Sequence, residues 1–94
     1  MGDLEDKVST MIAFSRYLTQ TGKFGEAKEF SGMMEDQFEN GEILAECARV
    51  AYVHHDYAKC ADMNKKALLL YSGSDREAIA KINSDIGLAL LRNN

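Results

Sequence analysis

Proline is absent from this chain of 94 residues, and no segment alternates apolar and polar residues in the way of a surface strand. No stretch has low complexity either. The apolar residues recur instead at helical spacing, between short polar breaks that contain Gly or Asn. The sequence therefore predicts an all-α fold of helices joined by short turns.

An excess of basic residues is also lacking. Lys and Arg number 11 against 15 Asp and Glu, and the net charge is -4. Nucleic-acid binding requires a concentrated basic face, which this balance does not supply. No apolar run approaches the ~18–20 residues of a membrane span, and the acidic start of the chain differs from the basic start of a signal peptide. We expect no nucleic-acid partner, no membrane span, and a cytoplasmic or nuclear protein.

Residue patterns typical of catalysis or metal binding are missing as well. There is no Gly-rich phosphate loop, and neither His54 nor His55 has an orienting partner beyond Asp56. Cys47 and Cys60 have neither the close spacing of a zinc knuckle nor the density of a disulfide scaffold, so we expect buried, reduced thiols. A chain of this length has little room for an enclosed pocket beside its core. We expect no enzyme activity, no cofactor and no metal.

The apolar spacing predicts five helices. They cover Leu4 to Gln20, Phe24 to about Phe38, Glu42 to His54, Asp56 or Tyr57 to Tyr71, and about 74 to Arg92. The breaks between them include Thr21-Gly22, Asn40-Gly41 and Ser72-Gly73. Asp56 is suited to cap the fourth helix, and Ser74-Asp75-Arg76-Glu77 has the form of a capping box that opens the fifth.

Two segments 33 residues apart repeat one pattern of polar turn, aromatic residue and small residue. They are Gly22-Lys23-Phe24-Gly25-Glu26-Ala27 and His55-Asp56-Tyr57-Ala58-Lys59-Cys60. A fixed period in the thirties, with two helices in each unit, is typical of stacked repeats whose units cannot bury their apolar faces alone. Such a stack favours a surface that holds another protein over a reaction centre.

The residues at equivalent places in the units share a pattern of large, small and aromatic side chains. In the second unit these are Leu44, Cys47-Ala48, Tyr52, Tyr57, Cys60 and Ala67; in the first Met11, Phe14-Ser15, Leu18, Phe24 and Ala27; in the last helix Ile86-Gly87 and Leu90. On these residues the chain resembles the tetratricopeptide repeat family. It departs from the family at Ser31 and Asn64, where an aromatic is usual.

The resemblance implies a right-handed α-α superhelix of antiparallel helix pairs within one domain, residues 1–94. Unit one would cover about 4–39 and unit two about 41–72, with a partial third unit or capping helix at about 74–92. Ser15, Ala48 and Gly87 would let neighbouring helices approach closely. The last helix ends with Leu88, Leu90 and Leu91. We therefore expect either a fragment of a longer repeat protein or a capping helix covered by self-association.

The resemblance also implies an inner groove, lined by the first helix of each unit, that holds a peptide or helix of a partner. The expected partner-binding residues are Ile12, Arg16, Thr19, Gln20, Ala45, Arg49, Tyr52, Val53, Lys81, Ser84 and Leu88, with Ser9, Glu42 and Arg92 beside them. Arg16 and Arg49 occupy equivalent positions, so they would lie on the same wall. Two guanidinium groups favour carboxylates, and the expected ligand is an acidic-hydrophobic segment.

Three alternatives remain open on the sequence. The two arginines could instead pair with nearby glutamates such as Glu42 or Glu46. The five helices could form a closed bundle without a groove, since a bundle would use the same apolar positions. A scaffold or adaptor module is the favoured function, and the rival function is an interaction or dimerisation domain of a larger enzyme, such as a transferase with appended repeats.

Overall fold

The computed structural model describes residues 3–71 and 75–93, apart from the side chain of Leu4. The described residues contain five α-helices and no strand, which confirms the all-α prediction. The helices are α1 (Asp3–Gln20), α2 (Phe24–Gln37), α3 (Gly41–Val53), α4 (Tyr57–Leu70) and α5 (Arg76–Arg92). Their bounds differ from the predicted ones by one or two residues. None of these helices is long and apolar enough to cross a membrane.

Side-chain caps define where α3, α4 and α5 begin. Asn40, predicted to stop α2, caps α3 instead, because its side chain accepts a hydrogen bond from the Ile43 amide at 3.1 Å. Asp56 caps α4 as predicted, accepting from the Lys59 amide at 3.3 Å. The cap of α5 is Asp75. Ser74, the expected start of a capping box, lies outside the described residues.

Two residues with positive φ make the turns of the repeated segments. Gly22 follows α1 with φ 79°, and His55 follows α3 with φ 62°. Glycine reaches this left-handed conformation without steric cost, whereas a histidine needs support from its neighbours. Here the His55 ring nitrogen Nδ1 lies 2.6 Å from the hydroxyl of Tyr57. The turn between α1 and α2 and the turn between α3 and α4 thus have their positive-φ residues at equivalent positions of the two units.

Helix α3 lies at the centre of the molecule. It packs most extensively on α4 and also contacts α1 and α2, while α5 packs on α4. Its buried side chains therefore surround the helix instead of forming one stripe. They are Ile43, Leu44, Glu46, Cys47, Ala48, Val50 and Ala51. Each helix packs against the next one in the chain, and the molecule measures 42 × 34 × 21 Å.

Small residues bring the helices close together at most of the predicted positions. Ser15 and Ala48 are fully buried, as expected. Gly41 is another close approach, because a Cβ there would lie 2.9 Å from Cδ2 of Tyr71. The predicted close approach at Gly87 is wrong, because a Cβ added there would meet no atom within 4 Å. The face of α5 that carries Gly87 is open, since no described helix packs against it.

Both cysteines are free and buried, as predicted. The Cys47 thiol donates a hydrogen bond to the carbonyl oxygen of Ser31 at 3.4 Å. Burial raises the pKa of both thiols above the usual range, because the low-dielectric interior disfavours the thiolate. They are packing residues of the core that joins α2, α3 and α4.

Candidate partner-binding groove

Helices α1, α3 and α5 line one groove on the face of the molecule, with a volume of about 690 Å³. The lining residues recur three or four positions apart on each helix, so they form one stripe per helix. They are Ser9, Ile12, Ala13 and Arg16 from α1; Glu42, Ala45, Glu46 and Arg49 from α3; and Ala78, Lys81, Ile82 and Asp85 from α5. Tyr71 and Asp75 lie at one end of it.

A buried carboxylate lies at the base of this groove. The Glu46 side chain is only 2% exposed. Its Oε2 accepts a hydrogen bond from the Ser15 hydroxyl at 2.8 Å, and its Oε1 accepts one from Nε of Arg49 at 2.9 Å. Nε of Arg16 approaches Oε1 at 3.4 Å. Three donors from two helices therefore satisfy a charge that would be costly to bury alone.

The two arginines lie on the same wall, as predicted, but both pair with Glu46, as the alternative interpretation held. Arg49 forms a second contact to Glu46 through Nη2, which also lies 3.4 Å from the Thr19 hydroxyl oxygen. The Arg49 side chain is 33% exposed, whereas that of Arg16 is 60% exposed. Arg49 is thus held inside the fold, and Arg16 is the guanidinium more open to a ligand.

A smaller, more apolar pocket of about 210 Å³ adjoins the groove between α3, α4 and α5. The side chains of Tyr52, Val53 and Leu88 supply its apolar wall. The Tyr52 ring packs edge to face against Tyr57, with their centroids 5.2 Å apart. The guanidinium carbon of Arg92 lies 5.7 Å from the Tyr52 centroid, within cation–π range. These contacts hold the aromatic wall of the pocket in place.

The groove and the pocket share three charged residues, Arg49, Lys81 and Asp85. Arg49 is held by Glu46, and Nζ of Lys81 pairs with Asp85 Oδ2 at 3.2 Å. A ligand that enters both depressions therefore passes over paired charges, which attract it less strongly than bare ones.

The charges of the groove are divided between its two ends. It is lined by three basic and four acidic residues: Arg16, Arg49 and Lys81, against Glu42, Glu46, Asp75 and Asp85. At the end formed by Arg16, Arg49 and Glu46, two guanidinium groups share one carboxylate, so this end keeps a net positive charge. Glu42 and Asp75 make the opposite end acidic. The groove is thus suited to a ligand whose charge differs along its length, and a uniformly acidic peptide would be repelled at one end.

Most of the predicted partner-binding residues line one of the two depressions. Those residues are Ile12, Arg16, Ala45, Arg49, Tyr52, Val53, Lys81 and Leu88. Thr19, Gln20 and Ser84 line neither. Thr19 donates its hydroxyl hydrogen to the carbonyl oxygen of Ser15 at 3.1 Å, and Gln20 and Ser84 are exposed elsewhere on their helices.

The sequence suggested Glu46 only as one possible partner of the arginines and gave no indication that its carboxylate is buried between α1 and α3. The only signal was its position three residues before Arg49 on a predicted helix, which allowed a pair but gave no sign of burial. Asn64 and Asp85 at the small pocket were also missed. Within residues 3–71 and 75–93, no three His, Cys, Asp or Glu side chains come together in a metal-binding arrangement.

The chain matches no family model, no curated protein and no solved structure.

Proposed function

We propose that this chain is a protein–protein interaction module that holds a peptide or helix of a partner in the groove between α1, α3 and α5. The observation that carries the proposal is that the three odd-numbered helices line one groove and that an apolar pocket adjoins it. A groove of this kind suits recognition of a short segment by side-chain anchors. In this proposal the fold is a tetratricopeptide-like right-handed superhelix, and the protein is a non-catalytic scaffold or adaptor of the cytoplasm or nucleus.

The proposed ligand is an acidic-hydrophobic segment in which an acidic residue lies next to an apolar one. One apolar side chain, such as Leu or Phe, fills the pocket formed by Tyr52, Val53 and Leu88. A neighbouring carboxylate of the ligand pairs with Arg16, the more exposed of the two arginines. Buried apolar anchors supply most of the binding energy of such contacts, while the charge contributes orientation and specificity.

Selection of short peptides from a random library, followed by affinity measurement on the enriched sequences, tests this proposal. We expect Asp or Glu to be enriched next to Leu or Phe. Arg16→Gln removes the charge with little change of length, and the loss of one charge-assisted hydrogen bond, about 1.5 kcal/mol, should weaken the enriched peptides about tenfold. Val53→Arg should block the pocket and abolish binding.

Lys65→Gln is the matched control, because it removes one charge from an exposed position of α4 outside the groove. Helical circular dichroism should be the same for all variants. A library that yields no enrichment, or enriched peptides that bind Arg16→Gln and Val53→Arg as tightly as the parent chain, would reject the groove as the binding site.

A further inference from the structure

A buried polar side chain, that of Asn64, lines the small pocket between α3, α4 and α5. Asn64 lies four residues after Cys60, so the two side chains share one stripe of α4. Each of these two residues is only 2% exposed, whereas the wall residues Tyr52, Val53 and Leu88 are partly or largely open. The two residues from α4 therefore form the base of the pocket.

The amide group of Asn64 is incompletely satisfied by the protein. An asparagine amide offers two donor hydrogens and one accepting oxygen. Within residues 3–71 and 75–93, its side chain forms one hydrogen bond, from Nδ2 to Sγ of Cys60 at 3.7 Å, and sulfur is a weak acceptor. Arg49 and Lys81, the basic residues of the pocket, form ion pairs with other groups. No described side chain therefore donates to the amide oxygen Oδ1 of Asn64.

This oxygen opens into the pocket. In the part of the chain that the structure describes, the one side-chain oxygen or nitrogen that is fully enclosed and lacks a hydrogen-bond partner is Oε2 of Glu35. Oδ1 of Asn64 also lacks a partner, so it is not fully enclosed, and its open side is the pocket that Asn64 lines. A group that enters the pocket displaces water from this oxygen and must supply the hydrogen bond itself.

The size and the walls of the pocket favour an aromatic ring as that group. Its volume of about 210 Å³ exceeds that of a cavity of about 150 Å³, which is enough to hold benzene. Tyr52, Val53 and Leu88 supply apolar surface for a ring to pack against. Tyrosine joins an aromatic ring to a hydroxyl at its far end, where the base of the pocket lies. Phenylalanine or leucine would cover the same walls but leave Oδ1 of Asn64 without a partner.

We propose that the anchor residue of the ligand is a tyrosine whose ring fills the small pocket and whose hydroxyl donates a hydrogen bond to the amide oxygen of Asn64. The proposal rests on the proposed function of the groove and narrows its apolar anchor to a ring with a hydroxyl at the tip. With a carboxylate of the ligand at Arg16, the recognised segment carries Asp or Glu next to Tyr. Loss of the hydroxyl would leave the buried amide unpaired beneath the bound ring, which is the source of the selectivity.

Titration with single-residue probes tests the pocket directly. N-acetyl-tyrosinamide and N-acetyl-phenylalaninamide differ only in the hydroxyl, and NMR follows their binding through the side-chain amide signals of Asn64. We expect the tyrosine probe to bind about five- to tenfold more tightly and to shift these signals more at saturation. Equal affinities, or a tyrosine probe that leaves the signals of Asn64 unshifted, would overturn the proposal.

Replacement of the amide tests its role. Asn64→Leu removes both polar atoms at nearly the same size and should abolish the preference for the tyrosine probe. Asn83→Leu is the matched control, because Asn83 is an exposed asparagine on α5 that lines neither depression. It should keep the preference. A preference that persists in Asn64→Leu would refute the role of Asn64. Circular dichroism checks the fold of both variants, and the two probes on the parent chain decide the proposal even if Asn64→Leu does not fold.

Peptides separate this proposal from the function of the groove. If library peptides bind and Val53→Arg abolishes their binding, but versions with Tyr and Phe at the anchor position bind equally well, the groove keeps its function and the tyrosine anchor is refuted. If the tyrosine probe is preferred but the library yields no enriched peptide, the chemistry assigned to the pocket is supported and the peptide-binding function is rejected.

Discussion

Replacement of Glu46 by Gln tests whether the buried carboxylate holds α1 against α3. Glutamine has nearly the same shape but no charge, and its amide nitrogen cannot accept a hydrogen bond. It therefore cannot satisfy both the Ser15 hydroxyl and the guanidinium of Arg49, which approach different carboxylate oxygens of Glu46 at 2.8 and 2.9 Å. The substitution should loosen the contact between the two helices that form one wall of the groove.

The size of the effect follows from the burial of the partners. Removal of one member of a fully buried ion pair costs about 3–5 kcal/mol, while an exposed pair contributes about 0–1 kcal/mol. Here Glu46 is 2% exposed, but Arg49 is 33% and Arg16 60% exposed, so water can solvate the released guanidinium groups. We expect a loss of about 2 kcal/mol, against a total stability of about 5–14 kcal/mol for a chain of this length.

Urea denaturation followed by circular dichroism measures this loss directly, and the melting temperature should fall by about 10 °C. Glu42→Gln is the matched control, because Glu42 is an exposed glutamate four residues earlier on the same helix. It should cost about 0.5 kcal/mol through its interaction with the helix N-terminus. Equal stability of the two variants would refute the role assigned to the buried carboxylate.

Two further predictions concern glycine positions and thiols. Gly41→Ala should destabilise the protein by about 1–3 kcal/mol, because the added methyl group would meet the Tyr71 ring at 2.9 Å. Gly32→Ala should stabilise it by up to about 1 kcal/mol, because Gly32 lies in the middle of α2 with open space around it. Urea denaturation should therefore give changes in unfolding free energy of opposite sign for the two variants, and changes of the same sign would contradict this prediction. Burial raises the pKa of Cys47 and Cys60, so the unfolded chain loses these thiol protons at lower pH than the folded chain does. The free energy of unfolding should therefore fall as the pH rises above the ordinary pKa of a thiol. Cys47→Ala should show a smaller fall in unfolding free energy over this pH range, and an unchanged slope would argue against the burial of Cys47.

The positions of the helices could be predicted closely from the sequence, because they depend on local interactions. Apolar spacing, the breaks at Gly22 and Asn40, and the cap at Asp56 act within a few residues of the helix ends they define. The cap of α5 lies one residue later than the predicted capping box placed it. Another local error was the assignment of Asn40 to the end of α2 instead of the start of α3. A residue between two helices can serve either one, and sequence spacing alone does not distinguish them.

The distribution of residues over the groove and the outer face depended on tertiary packing. Glu46 is buried only because α1 brings Ser15 and Arg16 to it from about 30 positions away in the chain. Ser84 was predicted in the groove and Gly87 at a close approach, yet both lie on the exposed face of α5. The sequence determined which residues share a stripe of each helix, because helical periodicity is local. Only packing, which depends on how each helix is rotated against its neighbours, decided which stripe is buried, which lines the groove and which remains exposed.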